Sequence, residues 1–537
     1  MKVVKYIGIA LVALIATLAV FVVVYIRADA RDAYPEITTD DVTIPEFTPV
    51  AVPFTNEFNA EKSLPFMASA VIDVDNDGTE EVFFGGGFNQ QDGLVAFQDG
   101  KFVDITEGKG LTKGDNDTTY GSVALDADQD GFTDLIVARQ SGVWLYTNRN
   151  GTFTGKNLNV PLNEKTVPLS VAVTDLNRDG HFDMYVSGYI KLSEVEGQTI
   201  FLDDSYGGSS ELLLNNGDNT FRRITQAAGI EYVHNTFHGV FVDVDNDGLE
   251  DLVVAHDTGH VRTYKNLGGL KFEVVPNPNS NQYSYPMGVA VGDYNNDGNV
   301  DFFFSNVGTT TPEFMVMGDL GPEHDFNPRW MLFQGTGNFQ FTDVAHEAKV
   351  ANFEFSWGAS FEDLNLDGRP DLLVSENYVG LPWQALSFLR LPGRLLLQKP
   401  NGRFAAAGGA AGVVNEHFSI APITADFNQD GYPDIVHVNL AGTGRAFLSQ
   451  GGNATYLKVK LPETTASIGA RVSVTTAAGK TYNQPYVSGE GLCSDSSRTL
   501  IFGLDGARTI QNVTIQYLGG RTRTIAAPTV NTTVVVN

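Results

Sequence analysis

Cysteine is all but missing from this chain: Cys493 stands alone among 537 residues, so no internal disulfide can form. An exported chain without covalent staples needs another brace, and metal ions are the obvious substitute. Basic residues are scarce as well. Lys and Arg number 35 against 64 Asp and Glu, and the net charge of −29 argues against nucleic acid and anionic membrane surfaces as partners. The short signatures of common catalysts are also absent: there is no G-x-S-x-G elbow, no H-E-x-x-H and no Walker loop.

What the chain has in abundance is one acidic pattern. The stretch from Phe241 to Val254 reads FVDVDNDGLEDLVV: apolar β-formers, carboxylates at the first, third, fifth and ninth positions, a glycine at the sixth, then an apolar run again. Alternate side chains converge on one point, the glycine permits a sharp turn, and every ligand is an oxygen, which is what a hard cation needs. Seven copies occur, numbered here in chain order. Their candidate ligands are Asp73, Asp75, Asp77 and Glu81; Asp126, Asp128, Asp130 and Asp134; Asp175, Asn177, Asp179 and Asp183; and Asp243, Asp245, Asp247 and Asp251. The last three copies supply Asp293, Asn295, Asp297 and Asp301; Asp363, Asn365, Asp367 and Asp371; and Asp426, Asn428, Asp430 and Asp434. Asn at the third position keeps the oxygen and drops a charge. The pattern predicts up to seven structural Ca2+ ions, and filling every loop would bring the effective charge to about −15.

An EF-hand opens in the same way, but it needs a bidentate Glu at the twelfth position and flanking helices. Here that position holds Phe84, Val137, Val186, Val254, Phe304, Val374 and His437, and the flanks are β-branched and aromatic. A simple Asp-Gly hairpin turn would explain the fifth and sixth positions only. The remaining acids would repel one another without a cation.

Residues 1–30 form an amino-terminal anchor or signal. Tyr6 to Ile26 is uncharged, mostly apolar and long enough to span a bilayer, with Lys2 and Lys5 before it. The preceding lysines place the amino terminus in the cytoplasm and the bulk of the chain outside. Ala28-Asp-Ala30 offers a signal-cleavage alternative, which would make the protein secreted. Residues 31–49 are polar and proline-punctuated and read as a tether.

Residues 50–453 repeat at intervals of roughly 50 to 70 residues, the spacing of propeller blades. Each unit has a strand before its acidic loop, a strand after it, and a second hairpin such as VWLYTNRNGTFTG. Four strands in each of seven units predict a seven-bladed β-propeller. The last unit runs straight on, so residues near Val50 to Glu57 are expected to donate its outer strand and remove the free edge. Phe102, Phe153, Phe221, Phe272, Phe339 and Phe404 follow the hairpin turns and read as packing between blades.

The units resemble FG-GAP/VCBS repeats, the calcium-loop repeats of integrin α-subunit propellers, and Phe84-Gly-Gly-Gly-Phe88 echoes the Phe-Gly element. The resemblance implies that the loop joins the first two strands of a blade. It also implies that the seventh position (Thr79, Phe132, His181, Leu249, Asn299, Arg369, Tyr432) lends its carbonyl to the ion. Residues 454–537 lack the loop and read as short strands broken by glycine. Ile468-Gly-Ala-Arg-Val472, Ser488-Gly-Glu-Gly491, Phe502-Gly-Leu504 and Val513-Thr-Ile515 are similar to the ASPIC/UnbV domain, with Tyr517-Leu-Gly-Gly520 where that family has Trp-Pro-X-Gly. The overall expectation is an all-β chain: a calcium-loop propeller, a small carboxy-terminal β domain and an amino-terminal transmembrane helix.

The functional expectation is a non-catalytic, extracytoplasmic adhesion or binding module for a protein or glycan ligand, held at the membrane by its amino-terminal helix. A polysaccharide lyase or hydrolase on the same scaffold is the alternative, and it would gather acids, bases or aromatics at the mouth of the ring from segments such as Asn277 to Pro286 and Asn306 to Asp325. His234, His238, His256 and His260 flank the fourth loop and read as hydrogen-bonding residues, and Cys493 as a small core residue. The apolar insertion from Leu381 to Gln398 reads as packed between blades.

Overall fold

The computed structural model describes residues 16–17, 33–195, 207–310, 316–318, 320–378, 391–440 and 442–536. Seven antiparallel sheets follow one another along the chain as the seven blades of a β-propeller; six have four strands, and the first is extended to five by the parallel strand Ser494–Asp495. In blade four the strands are Thr236–Val242, Asp251–His256, Val261–Asn266 and Phe272–Val275, in that order from first to last. The first two strands are buried along their whole length, so they read as continuous apolar runs rather than alternating ones. The acidic loop joins them, from Val242 paired with Asp251. The phenylalanines after the hairpin turns pack between blades as expected: Phe102 stacks edge-on against Phe427, and Phe153 and Phe272 are buried.

Blade seven closes the ring. Its first three strands are Ser419–Ala425, Asp434–Asn439 and Thr443–Ser449, and the fourth is Phe47–Thr55 from the start of the chain, with Phe47 opposite Ser449 and Val50 opposite Ala446. The seventh unit therefore does not complete its own second hairpin. Tyr456–Lys460, read from the sequence as the first strand of the carboxy-terminal module, lies in that module. Residues before the closing strand, expected to tether, lie against the propeller: Tyr34 is buried against Phe353, and Lys399 bonds the Thr38 carbonyl.

The module is two sheets, one of Thr499–Gly503, Tyr456–Lys460 and Thr533–Val535, the other of Thr481–Pro485, Arg471–Thr476, Ile510–Gln516 and Thr522–Ala526. Leu457, Val459, Val472, Val474, Phe502, Val513 and Ile515 form its core.

The propeller axis is filled from both ends. From one side comes the segment containing Leu64, Phe66 and Met67; the Phe66 ring lies 5.9 Å from Tyr189, 6.0 Å from Phe237 and 5.8 Å from Trp357, which belong to three different blades. From the other side the module sends in residues 488–497. Ser494 and Asp495 pair with Ser69 and Ala70 of blade one, Gly491 bridges Val289 of blade five, and Ser497 N–H donates to the Thr424 carbonyl of blade seven. Leu492 and Cys493 join Phe66 and Met67 in one apolar cluster. Burial pushes the Cys493 thiol far up, so it is an inert core residue.

Among the described residues no helix is long and apolar enough to cross a membrane. The anchor expected over Tyr6 to Ile26 lies outside the described residues except for 16–17, as do residues 381–390 of the apolar insertion. The insertion's far end, Arg394–Gln398, is the buried third strand of blade six.

Candidate metal centres on the loop face

All seven acidic turns adopt one backbone. The glycine at the sixth position has φ between 80° and 93°, a left-handed conformation that side chains rarely hold. Its N–H donates to Oδ2 of the first aspartate in every copy, from Gly78 to Asp73 (3.2 Å) through Gly431 to Asp426 (2.9 Å). The fifth-position carboxylate accepts from the N–H two residues on, for example Phe132 to Asp130 at 2.9 Å.

The ninth position is buried and doubly engaged. One oxygen of Asp134 accepts the Ala127 N–H at 3.0 Å, and the other accepts that of Asn148, on the third strand, at 2.6 Å. Asp183, Asp251, Asp301, Asp371 and Asp434 repeat the arrangement. This acid thus ties the loop to the blade as well as facing its centre. Burial pushes its pKa far above the carboxylate range: to about 7 for Asp134 and Asp183, and about 8 for Glu81, Asp251, Asp301 and Asp434.

Three loops bring single carboxylate oxygens within 4.8 Å of one another: Asp73, Asp75 and Asp77; Asp126, Asp128 and Asp134; Asp243, Asp245 and Asp251. These are the three copies with Asp at the third position. Asp77 joins the first cluster, whereas Asp130 and Asp247 stand outside theirs and so does Glu81. In loops three, five and seven the third-position amide instead donates to the fifth-position acid, Asn177 to Asp179 at 2.8 Å, Asn295 to Asp297 at 2.9 Å and Asn428 to Asp430 at 3.1 Å. Asn365 of loop six donates to the Thr43 carbonyl and turns its oxygen to the Asp367 N–H. The donor set fits a hard divalent cation: all ligands are oxygen, like charges converge, and Asp73 Oδ1 is buried with no hydrogen-bond partner.

The loop face is roofed by the carboxy-terminal module, which touches every loop. Lys460 Nζ lies 3.0 Å from Asp73 and Lys458 Nζ 2.7 Å from Asp426, the first aspartates of loops one and seven. The Glu463 carbonyl accepts the Asp126 N–H at 2.8 Å, Thr465 Oγ1 donates to the Gly180 carbonyl at 3.4 Å, and the Gly519 N–H donates to the Gly248 carbonyl at 3.2 Å. Asn483 Nδ2 donates to Asp293 at 3.1 Å. At loop six the fit depends on a glycine: a Cβ on Gly503 would stand 2.0 Å from Asp363 Oδ2 and 2.4 Å from the Leu366 carbonyl carbon. Gly503→Val is therefore expected to lower the melting temperature by several degrees and to expose the 454–537 module to limited proteolysis, read by differential scanning fluorimetry and mass mapping.

Sequence reasoning did not find the bases that answer these acids. Arg149 pairs with Asp128 (2.6 Å) and Asp130 (2.7 Å), Lys265 with Asp245, and Arg369 with Asp367. A usable signal existed for one pair only. Tyr456–Lys460 alternates in burial, which puts Lys458 and Lys460 on one face.

The histidines form no fourth centre. His234 Nε2 faces the Asp257 carbonyl at 2.6 Å, His256 Nδ1 faces Thr236 Oγ1 at 3.0 Å, and burial pushes His238 down to about 4. Among the described residues, groups of three or more candidate ligands occur only in the acidic loops.

Comparison with known proteins agrees with this geometry. The FG-GAP-like repeat family matches residues 126–186 and 243–304, and the ASPIC and UnbV family matches residues 461–537. The chain carries FG-GAP repeats and an ASPIC/UnbV module. Cartilage acidic protein 1 of Xenopus tropicalis is 25% identical over 327 residues, covering 57% of this chain and 47% of the relative. The human protein of that name is 25% identical over 256 residues, covering 44% of this chain and 37% of its own length. A T-cell immunomodulatory protein homolog of Plasmodium falciparum is 26% identical over 235 residues, 41% of this chain and 29% of that one. The FG-GAP chain thus spans less than half the length of these curated relatives.

Proposed function

We propose that this FG-GAP protein is an extracytoplasmic, calcium-braced propeller that serves as a binding module for a protein or glycan ligand, held at the membrane through its amino-terminal segment. The observation that carries the calcium reading is the uniform loop: seven copies of one turn, three with carboxylates converged within 4.8 Å. When bound, calcium would be held by the first, third, fifth and ninth side chains, and it would supply charge neutralisation and a crosslink between the first two strands of a blade. The chain's own residues pre-form the turn, through the glycine N–H on the first aspartate and the backbone bonds to the ninth.

A binding role is favoured over a polysaccharide lyase or hydrolase by the filled axis. The mouth of the ring, where that alternative gathers its acids and aromatics, is packed with Phe66, Tyr189, Phe237 and Trp357. The roof over the loop face directs the ligand elsewhere, to the opposite face or the rim. Capture from membrane extracts in calcium and in chelator tests the proposal: partners retained only in calcium are expected. Identical capture in both conditions rejects a calcium-braced binding surface, and turnover of acidic glycans in saturating calcium rejects the non-catalytic reading.

Charge count alone ranks the loops starting at Asp73, Asp126 and Asp243 as the tightest calcium sites. The paired bases oppose that ranking. Arg149→Met and Lys265→Met are expected to tighten loops two and four by about three- to tenfold, because each removes a cation competing for the same carboxylates at the surface. Terbium luminescence titration reads the change, and an unchanged affinity refutes it.

A further inference from the structure

In every loop the fourth position, between the third and fifth ligands, has a left-handed backbone with φ between 55° and 60°. In five of the loops the side chain leaves its own turn and lands on the next one. Asn76 donates to the Gly131 carbonyl at 2.7 Å, Gln129 to Gly180 at 2.6 Å, Arg178 to Gly248, Asn296 to Gly368 at 2.9 Å and Gln429 to Gly78 at 3.0 Å. The acceptor is always the sixth-position glycine of the following loop, so the bonds run one way round: seven to one, one to two, two to three, three to four, and five to six.

The other two joints are made differently. Between loops four and five the Gly298 carbonyl accepts instead from Arg471 of the ASPIC/UnbV module, at 2.7 Å. Between six and seven the fourth position is Leu366, which packs with Tyr432 of loop seven and Ile501 of the module.

We propose that the fourth-position side chains are positioning residues that couple the seven loops in series. This rests on the calcium reading above. An ion held by the third and fifth side chains fixes the backbone between them. That orients the fourth side chain, which in turn holds the neighbour's glycine in the left-handed conformation that the neighbouring turn requires. Each filled loop thereby raises the affinity of the next, and by linkage the effect is reciprocal. Loops seven, one, two, three and four form one block; loops five and six form a second, joined to the first through Arg471 and Ile501.

The test is calcium titration of the full chain by calorimetry, with stoichiometry from equilibrium dialysis, for wild type, Gln129→Met and Arg471→Met. Wild type is expected to bind with a Hill coefficient above one. Gln129→Met, an exposed site, is expected to keep the stoichiometry and the calcium-free melting temperature, with a lower Hill coefficient and apparent affinity weakened about two- to tenfold, the worth of one net hydrogen bond. Arg471→Met is likewise expected to lower the Hill coefficient, because loops five and six are then joined to the others only through the Leu366–Tyr432–Ile501 contact. Calcium binding with unchanged steepness and affinity in both variants overturns the coupling and leaves the calcium reading standing. A wild-type chain that binds no calcium at millimolar concentration overturns both.

Discussion

Withdrawing calcium is expected to lower the melting temperature of this protein by roughly 10–20 °C at neutral pH. Each loop held at a hundred times its Kd contributes about 2.7 kcal/mol of linkage stability, spread over the large unfolding entropy of a chain this long. Without the ion, carboxylates within 4.8 Å of one another repel in partly dry turns. The ninth-position acids give the effect a pH signature. Their folded pKa values, about 7 to 8 without an ion, lie above the unfolded value near 4, so the calcium-free fold favours their protonated form. The stability this confers is fully present below about pH 4 and is lost as pH rises toward 8. Calcium-free protein is therefore expected to melt higher at pH 5.5 than at pH 8, while the increment from added calcium is smaller at pH 5.5 than at pH 8, because protons and the ion compete for the same oxygens. Calorimetry with calcium and with chelator at the two pH values checks both signs. An equal increment at each pH, or no increment, refutes the account.

Removing the closing strand is expected to be as damaging. A chain beginning after Thr55 leaves blade seven with three strands and a bare edge on Thr443–Ser449. It also uncovers apolar surface on two blades, because Val52 is fully buried and the Phe54 ring stacks on Phe84 of blade one at 5.2 Å. The truncated protein is expected to aggregate or to lose its cooperative melt. The point variant Val52→Asp separates burial from chain length: an unpaired buried charge costs roughly 3–5 kcal/mol. A melt within a degree or two of wild type for Val52→Asp defeats the claim that this strand locks the ring.

Much of this architecture is legible without coordinates, because the repeated unit carries its own punctuation. Apolar runs of strand length, the acidic turn and the Gly-Asn hairpins fix four strands per unit, and seven units fix seven blades. The closing strand could be anticipated because an unpaired edge after Thr443–Ser449 has to be covered. The extra helper residues could not. The spacing puts Gln129, Leu366 and Arg178 at the same fourth position, but they share no chemistry, so only the structure reveals that each reaches the neighbouring loop.

The sequence alone determines which atoms are available to a cation: acids and amides at fixed spacing, with glycine at the one position whose backbone most needs it. Those are local properties, set within nine residues. The tertiary structure alone decides the charge each loop carries, because Lys460 reaches Asp73 and Lys458 reaches Asp426 from a module that begins after the last repeat, and Arg149 and Lys265 return along later strands. It also decides that the axis is packed and the loop face roofed. Coulombic and packing terms depend on distance in space rather than along the chain, so a motif specifies its ligands while the assembled ring specifies what surrounds them.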